Sequence, residues 1–209
     1  MWAGRFAFYL VELDARLGWT LGRRARFDTT DPGGPYTSLV AYLPDPLASE
    51  LAEVAASLPG SEGHFRYPPE QLHVTVRSFG GATDIPNLAR PLHGLPPIAL
   101  TPAGLGFTRD TVQLRLLPGN VSLREARRRI ANTHGVPSRQ ARQRLLGPVA
   151  FANVLRLNGP VSPELRHEVA GLRRLLAGER IVLNELTLVR TDKVATPERT
   201  QVLERYTLE

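Results

Sequence analysis

From Thr37 onward the chain switches repeatedly between two hydrophobic periods. Ser38–Pro44 (SLVAYLP) is an apolar run of strand length. Asp45-Pro46 then supplies an N-cap and a first-turn proline for a helix with Leu47, Leu51, Val54 and Leu58 on one face, and Pro59-Gly60 ends it. Gln71–Gly81 (QLHVTVRSFGG) and Thr111–Leu117 (TVQLRLL) alternate with period two, so each predicts a strand. Pro86–Pro102, between them, is too rich in proline for a long helix. Ser122 and Glu125 have the spacing of a capping box, opening a short arginine-rich helix that Gly135 closes. Val149–Leu157 predicts the next strand, and Ser162-Pro163 starts a helix with Leu165, Val169, Leu172 and Leu176 inward. Ile181–Arg190 and Gln201–Leu208 predict the final strands. This order of elements predicts an α+β protein.

Ahead of that pattern, Phe6, Leu10, Leu13, Leu17 and Leu21 recur at helical spacing. They predict an amphipathic helix from Trp2 to about Arg26, packed on the domain by that stripe. Arg16, Arg23, Arg24 and Arg26 make its end basic, which suits either a solvated face or an arm on RNA or a membrane surface. The apolar run Phe6–Val11 is short and is followed by Glu12 and Asp14, without a small-residue cleavage site, so it predicts neither a secretion signal nor a membrane span. Asp28–Pro35 (DTTDPGGP) is a linker of turn residues. The expected organisation is a helix and linker over 1–35 and a single domain over 36–209.

Composition narrows the partner more than the fold. With 209 residues, 42% of them hydrophobic, the chain can bury a full core. It has no cysteine, which excludes disulfides and thiolate-held metals and fits a reducing cytoplasm. The net charge is +6, and Lys193 is the only lysine, so the positive charge is almost all arginine. Arginine's planar fork matches phosphate, pointing to an anionic partner, although a general bias toward arginine gives the same count. Arg124, Arg127, Arg128 and Arg129 with Arg139, Arg142 and Arg144 are dense enough for a nucleic-acid face, yet aromatics for base stacking are scarce there.

The candidate chemistry lies in QLHVTVRSFGG. Strand alternation sets His73, Thr75 and Arg77 on one face and Leu72, Val74 and Val76 on the other. A titratable ring, a hydroxyl and a fixed cation are then neighbours above an apolar underside.

The segment Arg66–Gly81 (RYPPEQLHVTVRSFGG) resembles the first motif block of the two-histidine phosphoesterase superfamily, in particular its RNA 2',3'-cyclic phosphodiesterase or 2'-5' RNA ligase branch. Leu105–Thr108 (LGFT), Asn184–Asp192 (NELTLVRTD) and Leu203–Leu208 (LERYTL) follow in the family's order, so the resemblance runs from roughly Tyr36 to the C-terminus. It implies two lobes, with two antiparallel sheets flanking a central cleft and helices outside. It also implies a second His-x-Thr-x on a pseudo-symmetric strand. By order and spacing that motif is FANVLR (Phe151–Arg156), so Phe151 replaces the second histidine and Asn153 the threonine.

The family's chemistry needs one histidine to take a proton from the attacking oxygen and another to give one to the leaving oxygen, while the threonines hold phosphate oxygens. No metal or cofactor is implied. Phe151 can neither give nor accept a proton; Asn153 can still donate a hydrogen bond. The resemblance therefore implies one of two things. The first is an enzyme acting on RNA or nucleotide ends with impaired catalysis, with His73 as surviving acid or base and Thr75 as phosphate ligand. The second is a non-catalytic descendant that binds an RNA terminus, a nucleotide or a protein partner in the same cleft. The expected ligand is RNA or a nucleotide with a terminal or cyclic phosphate, bound by a cytoplasmic monomer away from membranes. Arg77, on the His73 face, is the first phosphate-binding candidate; Arg156 and Arg190, on the opposite strand parity, are further ones. Glu185 in ELTLVR, His134 and His64 are alternative second proton donors, whereas His93 and His167 read as surface residues.

Overall fold

The computed structural model describes residues 2–20, 33–82, 85, 87–134, 149–172 and 178–209. Its strands are β1 (Tyr36–Tyr42), β2 (Phe65–Arg66), β3 (His73–Gly80), β4 (Ile98–Phe107), β5 (Thr111–Pro118), β6 (Ala150–Arg156), β7 (Ile181–Leu183), β8 (Glu185–Thr191) and β9 (Gln201–Thr207). They form an antiparallel sheet in the order β7-β4-β5-β6-β3-β1-β8-β9, with β2 also paired to β6. The α+β class holds. The two expected sheets are the two halves of this one, β7-β4-β5-β6 and β3-β1-β8-β9, which meet where Val74 pairs with Ala152. Only Asn184 separates β7 at one edge from β8 near the other, so the sheet curls strongly.

Helices α2 (Asp45–Ser57), α4 (Ser122–His134) and α5 (Pro163–Gly171) follow their apolar periods. Leu51 of α2, Leu123 and Ile130 of α4 and Leu165 of α5 share one core with Leu39, Val74, Leu114 and Ala152 from the sheet. Full burial of each large aliphatic side chain contributes roughly 1.5–3 kcal/mol. The opposite face of the sheet carries polar side chains together with a small second apolar cluster of Ala7, Phe8 and Val149, against which Leu117 packs. Among the described residues no helix is long and apolar enough to cross a membrane.

Several local expectations are corrected. The N-cap of α2 is Pro44 rather than Asp45, which lies in the first turn. The capping box of α4 does not form: Ser122 lies inside the helix, and Glu125 pairs with Arg128 and Arg129. Asn120 caps instead, its Oδ1 accepting from the N–H groups of Ser122 (3.2 Å) and Ala99 (3.3 Å). Besides the four-residue α3 (Ala89–Leu92), the proline-rich passage holds the start of β4, which tolerates Pro102 at a break in its register with β5. Leu21, Gly135 and Leu176 lie outside the described residues, as do Arg23, Arg24, Arg26, Arg139, Arg142 and Arg144.

The N-terminal helix α1 (Trp2–Thr20) forms but packs by a different face. Phe6, Tyr9, Leu13 and Leu17 are exposed, while Ala7, Phe8, Glu12 and Ala15 are buried. Glu12 lies on that buried face, where its carboxylate meets Arg115 of β5 at 2.7 Å and is therefore buried as one member of a pair.

Candidate active site

An antiparallel pair has a local twofold axis, and here it falls on Val74 and Ala152. Rotation about it carries His73-Val74-Thr75 onto Phe151-Ala152-Asn153. Val74 with Ala152 is the one pairing between β3 and β6 among the described residues, so His73 and Thr75 flank it on one strand and Phe151 and Asn153 on the other. The two strands thus meet at this pair, with all four side chains on the face away from α2, α4 and α5. Strand β5 extends this surface, with Gln113 opposite Asn153 and Arg115 opposite Phe151.

Two bulges then redistribute the arginines. On β3, Thr75 pairs with Val40 and Arg77 with Leu39, so Val76 is the extra residue and the parity flips. Arg77 therefore shares the face of Val74 and the helix side, 7% exposed, and does not lie beside His73. On β6, Asn153 pairs with Gln113 and Arg156 pairs two positions away with Thr111, which makes Val154 the extra residue. Arg156 is thereby returned to the face of Asn153, where strict alternation would have excluded it. Arg190 pairs with Thr37 and stays on the face of Leu188, off the site.

His73 Nδ1 lies 2.7 Å from the Gln71 carbonyl, an oxygen that can only accept, so Nδ1 carries the proton and Nε2 bears the lone pair. Burial holds its pKa below the ordinary histidine value, against the pull of that carbonyl. The neutral ring is a base, and Tyr42 packs edge-on against it with centroids 6.0 Å apart. Beyond Tyr42 a cavity of about 210 Å³ is lined by Asn184, Glu185 and Thr187 among others.

On the β6 side, Tyr67 is buried and its phenol bonds to the side chains of both Asn153 and Arg156. Burial raises its pKa, partly offset by the Arg156 charge. Asn153 Oδ1 and Gln113 Oε1 are buried with no hydrogen-bond partner among the described residues. Side by side, the two amide oxygens are unspent acceptors next to a cation. Tyr67, Gln113 and Arg115 were missed from sequence; the signal was the polar half of TVQLRLL, which reads equally well as a solvent face.

The alternative proton donors lie elsewhere. Glu185 pairs with Arg205 at 2.6 Å on β8, separated from β3 by β1. His64 accepts the Asn158 N–H at 3.1 Å beyond the end of β6, and burial lowers its pKa. His134 ends α4, its side chain outside the described ones, and His93 and His167 are exposed. The arginine-rich helix is not a uniform basic face. Arg127 turns inward where the two lobes part, donating to the carbonyls of Val76 (3.1 Å), Thr75 (3.1 Å) and Val149 (2.9 Å). Burial, with Arg77 nearby, pushes its pKa down to about 10. Arg128 and Arg129 pair with Glu125, which they hold at about 2, and Arg124 is exposed. Among the described residues no three histidine or acidic side chains gather where a metal ion would sit.

No family model matches the chain by sequence, and neither does any curated protein. Solved structures do match by shape. TT0787 of Thermus thermophilus is similar at a TM-score of 0.57 with 20% identity, covering 83% of this chain and 97% of that one. E. coli LigT in complex with NADP+ is similar at 0.51 with 17% identity, over 83% and 97%. A structure described as a phosphoesterase is similar at 0.52 with 15% identity, over 84% and 99%. The chain has a LigT-like fold.

Proposed function

We propose that this protein holds the phosphorylated or cyclic-phosphate end of an RNA or nucleotide on the His73 face and turns it over slowly at best. The observation that carries this reading is the twofold at Val74 and Ala152, with His and Thr on one arm and Phe and Asn on the other. A phosphate on that axis meets Thr75 and Asn153 as hydrogen-bond donors, with the charge of Arg156 on the same face. The amide oxygens of Asn153 and Gln113 accept from ribose hydroxyls, and the cavity beyond Tyr42 takes the rest of the nucleotide. His73 Nε2 removes a proton from the attacking water. Phe151 returns none to the leaving oxygen, and loss of that help costs about 10²–10⁴-fold. The fold shared with E. coli LigT, whose structure holds NADP+, supports a nucleotide ligand. The same reading has the protein act as a monomer in the cytoplasm, a reducing compartment that its lack of cysteine suits.

The test is calorimetric titration with a nucleoside 2',3'-cyclic phosphate, a 3'-phosphorylated nucleotide and the bare nucleoside. Both phosphates should bind, more weakly as salt rises, and Arg156→Met should weaken them about tenfold or more. Equal binding of the bare nucleoside, or full affinity in Arg156→Met, would contradict the reading.

A further inference from the structure

We infer that Arg115 and Arg16 form a second anion subsite, which takes a backbone phosphate of a longer RNA and which Glu12 fills in its absence. The inference rests on the RNA-end reading above. Arg115 pairs with Phe151 of β6, and the neighbouring Ala152 pairs with Val74 of β3, so Arg115 stands two strand spacings, about 10 Å, from the strand that carries His73. An oligonucleotide anchored by its end at His73 can span that distance with a following phosphate.

The pairing around Arg115 is that of a site filled by a substitute. Its side chain is 11% exposed, its guanidinium lies over the Phe8 ring at 5.4 Å, and it presses on Gly106, where a Cβ would meet it at 2.1 Å. Yet only half of the fork is used. Nη2 donates to Glu12 Oε2 at 2.7 Å, while Nε is buried with no partner among the described residues. A phosphate offers enough oxygens to take Nε and Nη2 together, the bidentate geometry that arginine favours. The other oxygen of Glu12 accepts from Arg16 at 3.0 Å, and Arg16 is 65% exposed, so the carboxylate bridges one buried and one open arginine. A phosphate replacing it inherits both. Among the described side chains of α1, Phe6, Tyr9, Leu13 and Leu17 are exposed and the buried apolar ones are Ala7, Phe8 and Ala15, so the Glu12 pair is a main tie of this part of the helix.

The experiment uses the full chain, with a ribotetranucleotide ending in 3'-phosphate and a 3'-phosphorylated mononucleotide as probes. Glu12→Gln should tighten the tetranucleotide about tenfold or more, leave the mononucleotide unchanged, and lose the gain when Arg115→Met is added. In the wild-type chain the Arg115 Nε–H resonance should move on saturation with the tetranucleotide and stay still with the mononucleotide, a measurement that requires no variant to fold. Unchanged tetranucleotide affinity in Glu12→Gln, equal tightening of both probes, or an unmoved resonance overturns the subsite while leaving the cleft reading intact. Failure of the mononucleotide to bind at all overturns the cleft reading and the subsite with it.

Discussion

Replacing Arg127 by methionine should loosen the join between the two lobes. Thr75 and Val76 lie on β3 and Val149 immediately precedes β6, the strands that meet at Val74 and Ala152, and their carbonyls receive the three arms of one guanidinium at 3.1, 3.1 and 2.9 Å. Methionine keeps much of the volume and removes every donor. A partly buried acceptor left without its partner costs about 1–3 kcal/mol, but three bonds from one group do not add independently. Two effects offset the loss. The buried cation, whose pKa sits at about 10, no longer has to be desolvated, and its repulsion with Arg77 disappears. The net should be a destabilisation of about 2–4 kcal/mol, read as a lower urea midpoint or a fall in Tm of about 5–15 °C for a chain of this size. Nucleotide affinity should fall with it, because His73 and Asn153 come from opposite lobes. An unfolding free energy changed by less than about 0.5 kcal/mol would show that the join does not depend on Arg127.

Two further predictions follow from the same packing. Gly106→Ala would put a methyl group where the Arg115 guanidinium lies, so it should cost about 1–3 kcal/mol in a urea melt and expose α1 to limited proteolysis; a stable, protease-resistant variant would refute the close approach. The folded-state pKa of His73 is depressed, so the stability it contributes is full above its ordinary value near 6.5 and is lost as pH falls through the folded value. His64 adds in the same direction, so the check is the difference between wild type and His73→Asn across pH 7 to 5; an unchanged pH slope in the variant would contradict the burial assigned to His73.

Much of the fold was legible because its strands alternate cleanly and its helices carry apolar faces, as in Thr111–Leu117 and Pro163–Gly171. The faces of HVT and FAN were legible too, since each needs only local alternation. The arginines were not. One inserted residue reverses every later side chain on a strand, and Val76 and Val154 carry no mark that distinguishes them from ordinary strand valines. Alternation therefore misplaced Arg77 on the site face and Arg156 off it. The orientation of α1 was hidden for another reason: its period was right, but the contact that its buried face makes, Glu12 with Arg115, joins residues 103 apart.

The central claim, that the second arm of the twofold has lost its proton donor and kept its place, is tested most directly by rebuilding that arm. In Phe151→His, Asn153→Thr the twofold carries histidine and threonine on both strands, and hydrolysis of a nucleoside 2',3'-cyclic phosphate should rise about 10²-fold or more over wild type. Adding His73→Ala should abolish the gain. A folded double variant that still binds the nucleotide but hydrolyses it no faster than wild type would contradict the account.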